Sequence, residues 1–129
     1  MGLFHLLNSQ LKCEVKKVKL VKEIRDQDFV KEVLDAETPV LVDFFANWCP
    51  PCKRLAPVLE QLAADYGTRV KIVKLNTDEE KIWASKLGVR GLPTVAFFLD
   101  GKLVAQEAGF MPYKTLAGAF DVLLDQPAA

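Results

Sequence analysis

The sequence predicts an α/β fold, a central mixed β-sheet flanked by helices in the order β-α-β-α-β-α-β-β-α. Three observations carry that expectation. Short apolar runs rich in Val, Leu and Phe alternate with segments whose apolar residues recur at helical spacing. The run "VLVDFFA" (40–46) is almost continuously apolar, as suits a strand covered on both faces. Finally, "TVAFFL" (94–99) is joined to "KLVAQEA" (102–108) through Asp100–Gly101, a two-residue hairpin signal, so the sheet ends antiparallel.

The elements follow in order. In residues 3–11, Leu3, Phe4, Leu6, Leu7 and Leu11 share one arc at about 100° per residue, which predicts a short amphipathic helix. It either packs on the domain, frays, or serves as a docking or membrane-surface segment. A lysine-rich strand from Val18 to Ile24 suits a sheet edge. Asp26 is placed to cap a helix carrying Phe29, Val30, Val33 and Leu34, closed by "ETP". After the 40–46 strand a long helix begins, with Leu55, Val58, Leu59, Leu62 and Ala63 inward and Gly67 at its end. "VKIVKLN" (70–76) is the next strand. "DEEKIWASKLG" (78–88) is the next helix, with Trp83 toward the core, and a last helix runs from Pro112 to Leu124. The chain divides into an extension, 1–18, and one domain, 19–129.

The totals narrow the function. The length of 129 residues suits one domain of about 100–150 residues. Such a domain buries roughly two-thirds of its unfolded surface, enough to fold without metal or disulfide. Seventeen basic and seventeen acidic residues cancel; residues 1–22 hold five lysines against Glu14, a local +4, leaving −4 on the rest. A neutral total with a mildly acidic body gives no footprint for nucleic acid. No apolar stretch approaches the roughly 20 residues of a membrane span. The first residues lack a basic n-region and a cleavage site, and Leu6 stands where myristoylation wants Ser or Thr. A cytoplasmic location is the expectation.

The chemistry sits in "FFANWCPPCKRLAP" (44–57). Three cysteines, Cys13, Cys49 and Cys52, are too few and of the wrong parity for a secreted disulfide framework. A structural zinc site needs four ligands, and only Cys13 and His5 are left to complete one. A passive disulfide across so short a loop would restrict little chain entropy. Redox exchange fits better. A cysteine opening a helix faces unpaired N–H groups and the positive end of the helix dipole, which favour its thiolate. The cysteine one turn later can attack a mixed disulfide made by the first. That arrangement makes Cys49 a nucleophile and Cys52 its resolving thiol. Asp43, a lone carboxylate on a doubly covered strand, should have a raised pKa.

"VDFFANWCPPCK", "KLNTDEE", "GVRGLPT" and "DGK…AG" resemble, in this order and spacing, the motifs of the thioredoxin family, from about Lys19 to Asp125. The resemblance implies the thioredoxin fold and a general protein-disulfide reductase. In it, Cys49 is the exposed attacking thiolate, Cys52 the buried resolving thiol, and Asp43 the buried acid that serves Cys52. Lys74 corresponds to the lysine that pairs with that acid. Leu92–Pro93 corresponds to the family's cis-proline, facing the cysteines. Trp48, Pro50, Pro51, Gly91, Leu92, Pro93 and Gly109, with Phe110 beside them, would form the substrate-binding platform. The resemblance also implies disulfide-containing proteins as substrates and an NADPH- or ferredoxin-linked thioredoxin reductase as electron donor. It implies no bound cofactor beyond the redox-active Cys49–Cys52 disulfide, and no metal.

Three positions depart from the family pattern. Pro50 replaces the usual glycine of Gly-Pro, removing an N–H near the thiolate and stiffening the loop. Phe45 stands where a tryptophan is common and Asn47 where an acid is common. The same fold poised as an oxidant or isomerase, or used as a non-catalytic binding subunit, is the alternative to a reductase. Cys13 is an incidental thiol or a regulatory one.

Overall fold

The strand Val40–Phe45 (β2) is apolar on both sides because both of its faces are covered. In the computed structural model, which describes residues 19–125, it lies at the middle of a five-stranded sheet. The other strands are Lys22–Glu23 (β1), Lys71–Asn76 (β3), Thr94–Leu99 (β4) and Lys102–Ala108 (β5), in the spatial order β1-β3-β2-β4-β5. The pairs β1–β3 and β2–β3 are parallel; β2–β4 and β4–β5 are antiparallel. This is the mixed α/β architecture that the alternating elements predict.

Side-chain alternation splits β2 between two cores. Leu41 points toward the helices Pro50–Tyr66 (α1) and Tyr113–Leu124 (α3), packing with Leu55, Leu59, Leu62, Leu116 and Phe120. Val40, Val42 and Phe44 point the other way, against Phe29, Val33 and Ala84 of the helix Ile82–Lys86 (α2). Asp43 shares its parity with Leu41, so the sequence register itself sets this carboxylate beneath α1. Trp83 stacks on Phe29, with ring centroids 4.1 Å apart.

Helix α1 ends at Gly67 with φ +57°, a conformation that favours glycine. In the hairpin, Asp100 (φ +52°) and Gly101 (φ +78°) both take positive φ, the mark of a type I′ turn. A Cβ on Gly101 would also come within 3.0 Å of the Leu34 carbonyl oxygen.

Three elements differ from expectation. β1 is two residues long, because the N–H groups of Leu20 and Val21 donate to the Glu60 carboxylate (2.7 and 3.2 Å) instead of the sheet. The edge position is as expected. Residues 26–34 form a 3₁₀ turn, Asp26–Asp28, and a π turn, Val30–Leu34, and Val30 is half exposed rather than inward. Asp26 caps no helix there. Its carboxylate instead accepts the Ile82 and Trp83 N–H groups, both at 3.0 Å, and so caps α2 from across the domain. Glu80 in turn accepts the Asp26 N–H at 2.7 Å. α2 itself is shorter than 78–88, because the Asn76 side chain and carbonyl bind the N–H groups of Asp78, Glu79 and Glu80 in a turn. The amphipathic segment 3–11, His5 and Cys13 lie outside the described residues.

Candidate active site

Strand β2 runs into the first turn of α1, and that junction holds the cysteines. Cys49 is the N-cap residue, and its Sγ accepts the Cys52 N–H at 3.3 Å. Pro50 and Pro51 follow as the first helical residues, where a missing N–H costs no intrahelical bond. With two prolines in the turn, the Cys52 amide is the first helical N–H that can reach the sulfur. Cys49 and Cys52 are joined as a disulfide, with Cα atoms 5.2 Å apart. Both are buried, at 3% and 4% exposure, so in this oxidised state Cys49 is no more open than Cys52, contrary to expectation. Ala46, Leu92 and Phe45 pack around the pair and cover it.

Beneath the disulfide, Asp43, Phe45, Asn47, Cys52, Lys53 and Lys74 line a cavity of about 140 Å³. Asp43 is buried, and its Oδ1 has no hydrogen-bond partner among the described residues. Burial pushes its pKa up to about 7, against the opposing pull of the Lys74 charge. Lys74 is the register neighbour of Asp43 across β2–β3, yet the two form no ion pair. The ammonium sits 5.3 Å from the centre of the Phe45 ring, in a cation–π contact, and acts on the Asp43 carboxyl through its charge without touching it.

Above the disulfide, the ends of β2, β3 and β5 and the start of β4 meet at one end of the sheet. The Leu92–Pro93 peptide is cis. Pro93 is buried, and its carbonyl accepts the Gly109 N–H at 2.7 Å, which ties Gly109 to this loop. Gly91 is exposed, Leu92 is half-buried, and the Gly91 carbonyl accepts the Thr94 hydroxyl at 2.6 Å. Trp48 is 67% exposed, and its Nε1 donates to Asp78 at 3.3 Å. Pro50 is exposed and Pro51 half-buried. Asp78 and Arg54 escaped sequence reasoning: each joins the site through a partner from another element, Asp78 through Trp48 and Arg54 through Phe110.

Among the described residues no group of three His, Cys, Asp or Glu side chains is gathered as a metal site. None of the described helices is long and apolar enough to cross a membrane.

The comparisons agree with this geometry. The family model described as Thioredoxin matches residues 20–121. The chain is 49% identical over 96 residues to "Thioredoxin C-2" of Corynebacterium nephridii, covering 74% of this chain and 89% of that protein. It is 46% identical over 98 residues to "Thioredoxin 1" of Synechococcus elongatus, covering 76% and 92%. Against "Thioredoxin" of Pseudomonas aeruginosa the identity is 44% over 101 residues, covering 78% and 94%. A buried cysteine pair at a helix N-terminus, in a chain matched this far along its length, is the site of a thiol–disulfide oxidoreductase of the protein-disulfide reductase kind. The chain belongs to the thioredoxin family.

Proposed function

We propose that Cys49 is the attacking thiol and Cys52 the resolving thiol of a protein-disulfide reductase, with Asp43 as proton acceptor. The observation that carries this reading is the cavity that Cys52 and Asp43 share beneath the first turn of α1. The Cys49 thiolate attacks one sulfur of a substrate disulfide. That bond breaks, a mixed disulfide forms, and the other substrate sulfur leaves as a thiolate that takes up a proton. Cys52 gives its proton to the Asp43 carboxylate through the cavity and attacks Cys49 Sγ. The mixed disulfide breaks, the Cys49–Cys52 disulfide forms, and the second substrate thiolate departs. Two electrons have passed from the dithiol to the substrate.

A carboxyl with a pKa near 7 can take and return that proton at neutral pH. Lys74 tunes the carboxyl through its charge rather than by contact. Trp48, Pro50, Pro51, Gly91, Leu92, Pro93 and Gly109 surround the pair as the surface on which an extended substrate rests. The catalytic domain is 19–129, with 1–18 as an extension. A cytoplasmic setting suits a pair that an NADPH- or ferredoxin-linked reductase must return to the dithiol.

The test is a trapping experiment. Reduced Cys52→Ser should accumulate a dithiothreitol-sensitive adduct with a disulfide-containing protein, and Cys49→Ser should not. An adduct held through Cys52 would overturn the assignment. Direction is read from the reduction potential in a Cys13→Ser background. A value near about −270 mV supports a reductant, and one toward about −180 mV or above supports an oxidant or isomerase.

A further inference from the structure

The two flanks of the disulfide are built differently. The sheet order places β3 on one side of β2 and the β4–β5 pair on the other. Trp48 leans toward the β3 side, where Asp78 holds its indole. On the β5 side stands Phe110, 42% exposed, directly after the Gly109 whose N–H is bound to Pro93. Arg54, also exposed, rises from the second turn of α1 with its guanidinium carbon 5.9 Å from the centre of the Phe110 ring. Arg54 makes no ion pair among the described residues. An exposed guanidinium held against a ring beside the reactive pair has kept its donors for something outside the fold. Its planar fork matches a carboxylate, and the ring limits the rotamer freedom lost when one is bound.

We propose that Arg54, seated on Phe110, selects substrates whose reactive cysteine is flanked by Asp or Glu. The inference rests on the disulfide-reductase reading and adds a substrate class to it. The carboxylate would lie on the β5 side of the disulfide, across from Trp48, with the substrate strand passing over Leu92–Pro93 between them. The contact acts before the chemistry, so it changes capture of the substrate more than the exchange step.

The test uses the full-length chain, reduced and freed of reductant, in single-turnover reduction of three disulfide peptides. These are identical except that Glu, Gln or Lys flanks the half-cystine. The expected order is Glu fastest and Lys slowest, with the second-order rate constant about two- to fivefold higher for Glu than for Gln at low salt. The preference should shrink as salt is raised, as for any exposed ion pair. Arg54→Gln should bring the Glu-to-Gln ratio close to one, Arg54→Lys should keep part of it, and Phe110→Ala should weaken it. Lys31→Gln, which removes the same charge from an exposed position outside the site, should keep the full ratio. A ratio near one in the unaltered chain, or an equal fall in Arg54→Gln and Lys31→Gln, would overturn the inference while leaving the reductase intact. Failure to reduce any of the three peptides would instead overturn the reductase reading.

Discussion

Replacing Asp43 with asparagine removes a buried carboxylate and leaves a side chain of nearly the same shape in the same cavity. Burial raises the Asp43 pKa from an ordinary 3.8 to about 7. The folded protein therefore holds that proton more tightly than the unfolded chain does. Its contribution to stability is complete below about pH 4 and is lost as pH rises through about 7. A shift of about three units at about 1.4 kcal/mol each makes the ionised carboxylate cost about 4 kcal/mol above that range. Asparagine imitates the neutral acid, so it escapes this cost. It also buries an amide whose N–H groups lack assured partners, a penalty of about 1 kcal/mol. The balance predicts that Asp43→Asn is about 3 kcal/mol more stable than the unaltered chain at a pH of about 8.5, and up to about 1 kcal/mol less stable at about pH 4, where only the amide penalty is left. Urea unfolding of the oxidised proteins, followed by circular dichroism across that range, measures the difference. A pH-independent difference, or an asparagine variant that is less stable at the alkaline end, would refute the argument from burial. The same variant should resolve mixed disulfides more slowly, as expected of the proton acceptor proposed for Cys52.

Lys71 at 2.6 Å and Lys22 at 3.0 Å hold Glu32 well below the usual carboxylate range, at about 2. That stability is present above about pH 4.5 and is lost as pH falls toward 2. With Lys22 largely exposed, solvent screening limits it, so Glu32→Gln should cost about 1 kcal/mol near neutral pH and almost nothing near pH 2, read by urea unfolding. Asp26→Ala strips α2 of the carboxylate that accepts its first two N–H groups and should cost about 1–2 kcal/mol in the same assay. Asp26→Asn, which keeps one acceptor oxygen, should cost less.

Much of the fold was legible because its signals are local. The apolar runs at 40–46 and 94–99, the Asp100–Gly101 turn and the Gly67 stop each depend on conformational preferences that a few neighbouring residues carry. The cysteine pair was legible for the same reason: the spacing alone sets both sulfurs on one turn. The raised pKa of Asp43 followed from an apolar run, since burial of that strand could be read from its residues. What the sequence misplaced were partnerships. Asp26 has the local character of a cap, and which helix it caps depends on a chain segment 56 positions away. Likewise, β1 is short because Glu60 of α1 competes for its amides, and no pattern within residues 18–24 reports that competition.

Composition and spacing by themselves determined the α/β class, the redox character of Cys49–Cys52 and the burial of Asp43, because each is a property of a segment and its neighbours. It took the folded arrangement to set the Lys74 ammonium against Phe45 without direct contact to Asp43, to cover both cysteines in the oxidised state, and to stand Trp48 and Arg54 over different partners on opposite flanks. Those outcomes are contests between groups brought together by the sheet order, and their winner is set by distance and burial that arise only once the chain has folded.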